Sequence, residues 1–142
     1  MRRPRVVIDT NVVVAASRSR HGASAKLLSF VGTGRFEIVI SVALVIEYEY
    51  AVPREVPLRS KKRRILEDIL DYLCAVGQRQ EVFFLWRPQL RDPEDDMVLE
   101  LAVAGRGDAI VTFNRRDFGN LDRFGLEVLS PGQFLARIGE LS

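Results

Sequence analysis

Residues 5–11 have the sequence RVVIDTN, and this short stretch predicts how the rest of the chain is organised. Its three consecutive apolar residues, 6–8, are typical of a strand that is buried on both faces of a parallel sheet. Asp9 ends the apolar run, and a helical pattern begins directly after it. Short apolar runs then alternate with helical patterns along the sequence, which predicts an α/β protein with a parallel sheet wrapped by helices.

The remaining elements follow from apolar periodicity and from residues typical of helix ends. Further strands are predicted at 37–40, 81–85, 109–112 and 126–129. A helical stretch follows the first strand and is interrupted near 17–22. Further helices are predicted at 23–31, 41–51, 60–76, 92–104 and 130–138. Ser41, Ser60 and Asp92 are typical N-cap residues, and Gly77 and Gly105 follow predicted helix ends. We therefore expect one domain over residues 1–142, with a sheet of about five strands.

The composition excludes several kinds of chemistry. The only cysteine is Cys74 and the only histidine is His21, so an internal disulfide, a cysteine-based zinc cluster and a histidine acid–base pair are all excluded. No apolar run reaches the roughly 18 residues that span a bilayer. The run after Arg2 and Arg3 is cut short by Asp9, which is unlike a signal peptide. We expect a soluble, cytoplasmic protein whose chemistry depends on carboxylates.

Acidic and amide side chains follow several of the predicted strands. Asp9 follows the first strand, Glu47 lies in the helix after the second, residues 92–96 (DPEDD) follow the third, and Asn114 and Asp117 follow the fourth. Sites in open parallel sheets form beyond the carboxyl ends of the strands. These side chains are therefore expected to converge at one edge of the sheet.

Each of these residues also has an ordinary structural interpretation. Asp9 could simply cap a helix, and acids in residues 92–96 would favour the positive end of the helix dipole. Asp92 and Asp96 are four residues apart, however, so both can face one point. Glu47 lies among apolar residues, where a carboxylate is costly unless it is paired or bound to a cation. Periodicity does not decide whether Glu47 or Glu49 points inward. An oxygen-only donor set of this kind favours Mg²⁺ or Mn²⁺ over zinc.

Four motifs together make the chain similar to PIN-domain proteins, in particular the small prokaryotic toxins of toxin–antitoxin pairs. They are VIDTNV at 7–12, Ser41 with Glu47, RDPEDD at 91–96 followed by Leu99 and Ala102, and IVTFN at 110–114 followed by Asp117 and Phe118. The resemblance extends over essentially all 142 residues. The combination is specific, although none of the motifs would be so by itself.

The resemblance implies a three-layer α/β/α sandwich and a Mg²⁺- or Mn²⁺-dependent endoribonuclease that hydrolyses single-stranded RNA. It implies catalytic acids at Asp9, Glu47 and Asp96, further metal ligands at Asp92, Asn114 and Asp117, and substrate contacts at Thr10, Asn11, Ser41, Thr112, Arg115 and Arg116. The implied partners are RNA, a second copy of the chain in a homodimer, and a cognate antitoxin protein. Asn114 departs from the aspartate often found at its position, which weakens a second metal site unless Asp117 compensates.

Two other functions are compatible with the sequence. A non-catalytic nucleic-acid-binding or complex-forming PIN module would explain Asn114. A small-molecule phosphatase on a similar sheet is a further alternative, although such enzymes often place a second aspartate where this chain has Asn11. The aromatic residues Tyr48, Tyr50 and Trp86 could stack on bases or serve as core or dimer contacts.

Overall fold

A parallel sheet forms the centre of the computed structural model, which describes residues 3–51, 60–82 and 90–139. Its five strands in these ranges are β1 (Arg5–Ile8), β2 (Glu37–Ile40), β3 (Gln78–Arg79), β4 (Ala109–Val111) and β5 (Glu127–Leu129). Their order across the sheet is β3-β2-β1-β4-β5, and every neighbouring pair is parallel. The predicted α/β class with about five parallel strands is confirmed.

Helices cover the sheet in a three-layer α/β/α arrangement. They are α1 (Thr10–Arg18), α2 (Ala23–Ser29), α3 (Val42–Tyr50), α4 (Lys61–Val76), α5 (Pro93–Ala104), α6 (Arg115–Phe118) and α7 (Pro131–Arg137), with a short 3-10 helix at Asp122–Phe124. Helix α1 packs on α2, α3 and α4, whereas α5 packs on β1, β2 and β4. In the described ranges, each helix is too short or too polar to cross a membrane.

Strand β1 is central and buried, as its apolar run predicts. Val6, Val7 and Ile8 are fully buried, and β1 pairs with β2 on one side and β4 on the other. Ile8 is in register with Val111, so β1 and β4 end side by side. The backbone N–H of Asp9 continues this pairing by donating to the Val111 carbonyl at 2.9 Å. The residue after β1 is thereby fixed beside the residues that follow β4.

The predicted position of the third strand is wrong for the part that the structure describes. Strand β3 is Gln78–Arg79, directly after α4, whereas Glu81 and Val82 lie beyond it and residues 83–85 lie outside the described residues. Both β3 residues are exposed, because an edge strand does not need the apolar run expected of a central one. Gly77 permits the abrupt start, since a Cβ there would lie 2.7 Å from the Leu73 carbonyl oxygen.

Candidate active site

Asp9 lies at the carboxyl edge of the sheet and uses both carboxylate oxygens. It is the N-cap of α1, and Oδ1 accepts a hydrogen bond from the Thr10 N–H at 2.8 Å. Its Oδ2 accepts a hydrogen bond from the Thr112 hydroxyl at 2.8 Å. The capping interpretation is therefore correct but incomplete, because the second oxygen joins Asp9 to the residue that follows β4.

The turn after β4 is tied to Asp9 through Thr112 and Asn11. The fully buried Thr112 hydroxyl accepts hydrogen bonds from the Asn114 N–H at 3.0 Å and from Asn11 Nδ2 at 3.3 Å. Asn11 Oδ1 in turn accepts the Phe113 N–H at 3.2 Å. The bonds of Asn11 to Thr112 and Phe113 join the start of α1 to the turn after β4, and the Thr112 hydroxyl positions the Asp9 carboxylate.

Four aspartates come close enough at this edge for their charges to interact, and the pKa values of Asp9 and Asp95 are raised. Burial is the main cause of the raised pKa of Asp9, with smaller contributions from the charges of Asp117 and Asp92 and an opposing effect of its hydrogen bonds to Thr112 and Thr10. Burial followed by the charges of Asp9, Asp92 and Asp117 raises the pKa of Asp95 to about 6. We call Asp9, Asp92, Asp95 and Asp117 the acidic cluster.

A second carboxylate pair, Glu47 and Glu94, adjoins the acidic cluster. The charge of Glu47 is the main cause of the raised pKa of Glu94, followed by burial. The charges of Asp92 and Asp9 raise the pKa of Glu94 further. Glu47 is partly buried whereas Glu49 is exposed, which settles the choice that periodicity left open. Helix α3 therefore brings Glu47 toward the cluster.

Asp96 does not take the position that the sequence motif predicts. Its Oδ1 accepts the Leu90 backbone N–H at 2.9 Å, and the residue is only 1% exposed. Neighbouring residues of a helix point about 100° apart, so Asp95 and Asp96 project in different directions. The carboxylate of Asp95 interacts with Asp9. Asp95 is therefore a candidate ligand beside the predicted Asp96.

A sequence signal for Asp95 exists in the apolar pattern of α5. Asp95, Val98, Leu99 and Ala102 have the spacing i, i+3, i+4, i+7 that defines one helix face. The three apolar members of this set are buried in the core. The same face that packs on the sheet therefore carries Asp95 at its first turn, whereas the more deeply buried Asp96 accepts the Leu90 N–H.

The other predicted ligands differ in how their side chains are used. Asp92 caps α5 by accepting the Glu94 N–H at 2.9 Å, and its charge acts on Asp9 and Asp95. Asn114 occupies the N-cap position of α6, but its exposed side chain makes no capping hydrogen bond. Asp117 is exposed and interacts electrostatically with Asp9 and Asp95. The capping alternative for Asn114 is therefore not realised, which leaves its amide oxygen available.

The predicted substrate contacts also separate into two kinds. The Ser41 hydroxyl caps α3 by accepting the Leu44 N–H at 3.1 Å, so it is engaged in local structure. Thr10 contributes its backbone N–H to Asp9. Arg115 is exposed, and its Nε donates to the Val128 carbonyl at 3.1 Å. Arg116 lines a cavity of about 630 Å³ together with Asp92, Asp95 and Asp117. Arg116 and Arg91 thus share a cavity with three members of the acidic cluster.

Tyr48 supports the site from within the core, a role that the sequence did not suggest. It is fully buried, and its hydroxyl donates to the Ile8 carbonyl at 2.5 Å. Ile8 immediately precedes Asp9, and Tyr48 immediately follows Glu47. The bond therefore joins the chain segments that carry two candidate ligands. Burial excludes base stacking by Tyr48, while Trp86 lies outside the described residues.

The donor chemistry fits a hard divalent cation, although the side chains do not form a closed cage. In residues 3–51, 60–82 and 90–139, no three His, Cys, Asp or Glu side chains are grouped closely enough to hold a metal ion as they stand. The cluster nevertheless offers several carboxylates whose charges oppose each other, together with the Asn114 amide. Hard cations such as Mg²⁺ bind through few carboxylates and keep several waters, so a closed protein cage is not required.

Comparison with known proteins agrees with this architecture. The family model described as PIN domain matches residues 5–116, which is most of the chain. The crystal structure of VapBC2 from Rickettsia felis bound to a DNA fragment from their promoter has the same fold, with a TM-score of 0.60, 19% sequence identity, and coverage of 89% of this chain and 99% of that one. Among curated proteins, none gives a significant match. The chain belongs to the PIN-domain family.

Proposed function

We propose that this protein is a divalent-cation-dependent nuclease that hydrolyses single-stranded RNA at the acidic cluster. The observation that carries the proposal is the convergence of four aspartates from three separate elements at the carboxyl edge of the sheet, where burial, followed by the charges of the other three, raises the pKa of Asp95 to about 6. Carboxylates that repel each other destabilise the folded protein. Carboxyl groups with pKa values perturbed in this way are typical of functional sites.

The candidate ligands fall into a partly buried group and an exposed group. Asp9, Asp95 and Glu47 are at least partly buried and are proposed to hold Mg²⁺ or Mn²⁺, with Asp117 and Asn114 as exposed additions. When bound, such an ion supplies an activated water and neutralises charge on a phosphodiester. The protein's own part is to keep the Asp9 carboxylate oriented, which its hydrogen bond with Thr112 does.

The arginines of α6 are proposed to hold the RNA backbone. Arg116 shares a cavity with three members of the acidic cluster, and Arg115 is the adjacent residue. Planar guanidinium groups suit phosphate oxygens. A cation beside carboxylates also reduces the repulsion between those carboxylates and an approaching phosphodiester. Because contacts between arginine and phosphate are electrostatic, RNA binding is expected to weaken as the salt concentration is raised.

A complex-forming role is the second candidate, and it is compatible with the first. Val42, Ile46 and Tyr50 are spaced four residues apart on α3 and are 63%, 43% and 78% exposed. An apolar helix face of this kind is typical of a protein–protein contact. The similar VapBC2 structure is of a complex bound to promoter DNA. We propose that this chain forms a homodimer and binds a cognate antitoxin protein.

The deciding experiment is cleavage of a single-stranded RNA by the purified protein with Mg²⁺ or Mn²⁺. We expect products with a 5′-phosphate and a 3′-hydroxyl, because water is the nucleophile, and no cleavage after chelation. Asp95→Asn is expected to abolish cleavage. Asp96→Asn is the matched control, since its amide oxygen can still accept the Leu90 N–H. A 2′,3′-cyclic phosphate product would refute the mechanism, and activity confined to phosphomonoesters would favour the phosphatase alternative.

A further inference from the structure

We propose that Phe113 is a stacking surface for a base of the RNA beside the scissile phosphate, an inference that rests on the proposed function. Phe113 is 50% exposed, although it lies between the buried Thr112 and the candidate ligand Asn114. A half-exposed phenylalanine forgoes part of the stabilisation that burial gives. Its position at the edge of the acidic cluster is where a neighbouring base of a bound strand would lie.

The backbone that carries Phe113 is held in place before any ligand binds. Its N–H donates to Asn11 Oδ1 at 3.2 Å, and the following N–H, of Asn114, donates to the Thr112 hydroxyl at 3.0 Å. The same hydroxyl donates to Asp9. A stacking surface fixed in this way loses little conformational entropy on binding, and its distance from Asp9 is set by the network that positions the catalytic carboxylate.

The charge distribution around Phe113 favours a nucleic acid strand over a purely apolar partner. Arg115 and Arg116 are exposed within three residues of it, and both can contact phosphates. Asp92, Asp95 and Asp117 of the acidic cluster, which line one cavity with Arg116, repel the phosphate backbone of an approaching strand. A base offers a neutral π-face that the carboxylates do not repel, so stacking is a suitable source of affinity at this edge.

Tyr72 provides a matched control. It is 46% exposed, close to the 50% of Phe113, and its hydroxyl donates to the Val31 carbonyl at 2.7 Å. Tyr72 lies near the end of α4, and the parallel strand β3 begins directly after that helix, so Tyr72 lies toward the edge of the sheet opposite the acidic cluster. A general effect of removing an exposed aromatic ring would therefore appear in Tyr72→Ala as well as in Phe113→Ala.

The test measures binding of a short fluorescein-labelled single-stranded RNA by anisotropy, with Ca²⁺ in place of Mg²⁺ or Mn²⁺, and cleavage with Mn²⁺ in parallel. We expect Phe113→Ala to weaken binding about tenfold, while Tyr72→Ala stays within about twofold of wild type. Between about 50 and 200 mM salt, the slope of log K against log salt is expected to be unchanged by Phe113→Ala, because stacking releases no counterions. Phe113→Trp is expected to restore affinity and to add a tryptophan signal that RNA quenches.

The outcomes separate this inference from the nuclease proposal. Unchanged affinity of Phe113→Ala in a protein that cleaves RNA overturns stacking and leaves the nuclease function standing. Binding that depends on Phe113 without any cleavage supports stacking and refutes the nuclease function. A wild-type protein that does not bind RNA, or a Phe113→Ala variant with a reduced salt slope, overturns stacking. Equal losses in Phe113→Ala and Tyr72→Ala overturn it as well.

Discussion

Replacing Asp95 with asparagine should stabilise the metal-free protein while removing its response to divalent cations. Burial and the surrounding carboxylates raise the pKa of Asp95 from 3.8 to about 6. A carboxyl whose pKa is higher in the folded state binds its proton more tightly there, and below the unfolded-state pKa this contribution to stability is fully present. It is lost as the pH rises through the folded-state pKa. At neutral pH, ionised Asp95 therefore destabilises the folded state.

The size of the effect follows from the two pKa values. A change from 3.8 to about 6 corresponds to about 3 kcal/mol at full strength. Asp95 is partly exposed, so solvent screening reduces the penalty to about 1 kcal/mol. Asparagine removes the charge and keeps nearly the same shape. In a chain of this length, about 1 kcal/mol is expected to raise Tm by roughly 3 °C.

The assay is thermal and urea unfolding with a chelator, at several pH values between about 4 and 8. The gain of Asp95→Asn over wild type should be largest above pH 6 and should vanish toward pH 4. Asp96→Asn should show no such gain, because Asp96 is engaged with Leu90. Added Mn²⁺ should raise the Tm of wild type by mass action and leave Asp95→Asn unaffected. An Asp95→Asn variant that is less stable at every pH would refute the reasoning.

Two further predictions concern neighbours of Asp9. Tyr48→Phe leaves the Ile8 carbonyl without its hydroxyl donor, so it should lower the free energy of unfolding in urea by about 1–2 kcal/mol and weaken Mn²⁺ binding in calorimetry; unchanged Mn²⁺ affinity would contradict its positioning role. Asn114→Asp adds a charge to the ligand set, so it should strengthen Mn²⁺ binding and destabilise the metal-free protein. If neither the Mn²⁺ affinity nor the stability of the metal-free protein changes, residue 114 is not part of the site. Asp117→Asn should weaken Mn²⁺ binding, and Asn114→Asp should restore it if the two residues act together.

Much of the site was predictable because its residues follow strands with strong local signals. The apolar run of β1 predicts a buried strand, and Asp9 directly after it is placed by that strand alone. Asn114 and Asp117 follow β4 for the same reason. The acidic run at 92–96 was predicted to begin a helix at this edge, and α5 does begin there. In each case a contact within a few residues decides the local structure.

The choice between neighbouring residues was decided only by tertiary packing. The acidic run and the family motif favour Asp96, but the packing of α5 on β1, β2 and β4 turns Asp95 toward Asp9 and Asp96 toward Leu90. Glu47 and Glu49 are likewise separated by the packing of α3 on its neighbours. A rotation of about 100° per residue changes which acid enters the site, and it is set by the whole buried face of the helix.

The sequence by itself therefore determined the fold class, the family and the edge of the sheet at which the acids gather, because alternation of strands and helices, caps and motifs are encoded over short spans. The tertiary structure decided the short edge strand at Gln78–Arg79, the support of Asp9 by Tyr48 and the exposure of Phe113. These features depend on contacts between residues about 40 to 100 positions apart, such as the hydrogen bonds from Tyr48 to Ile8 and from Thr112 to Asp9. No local pattern specifies such contacts, because burial and pairing are properties of the packed whole.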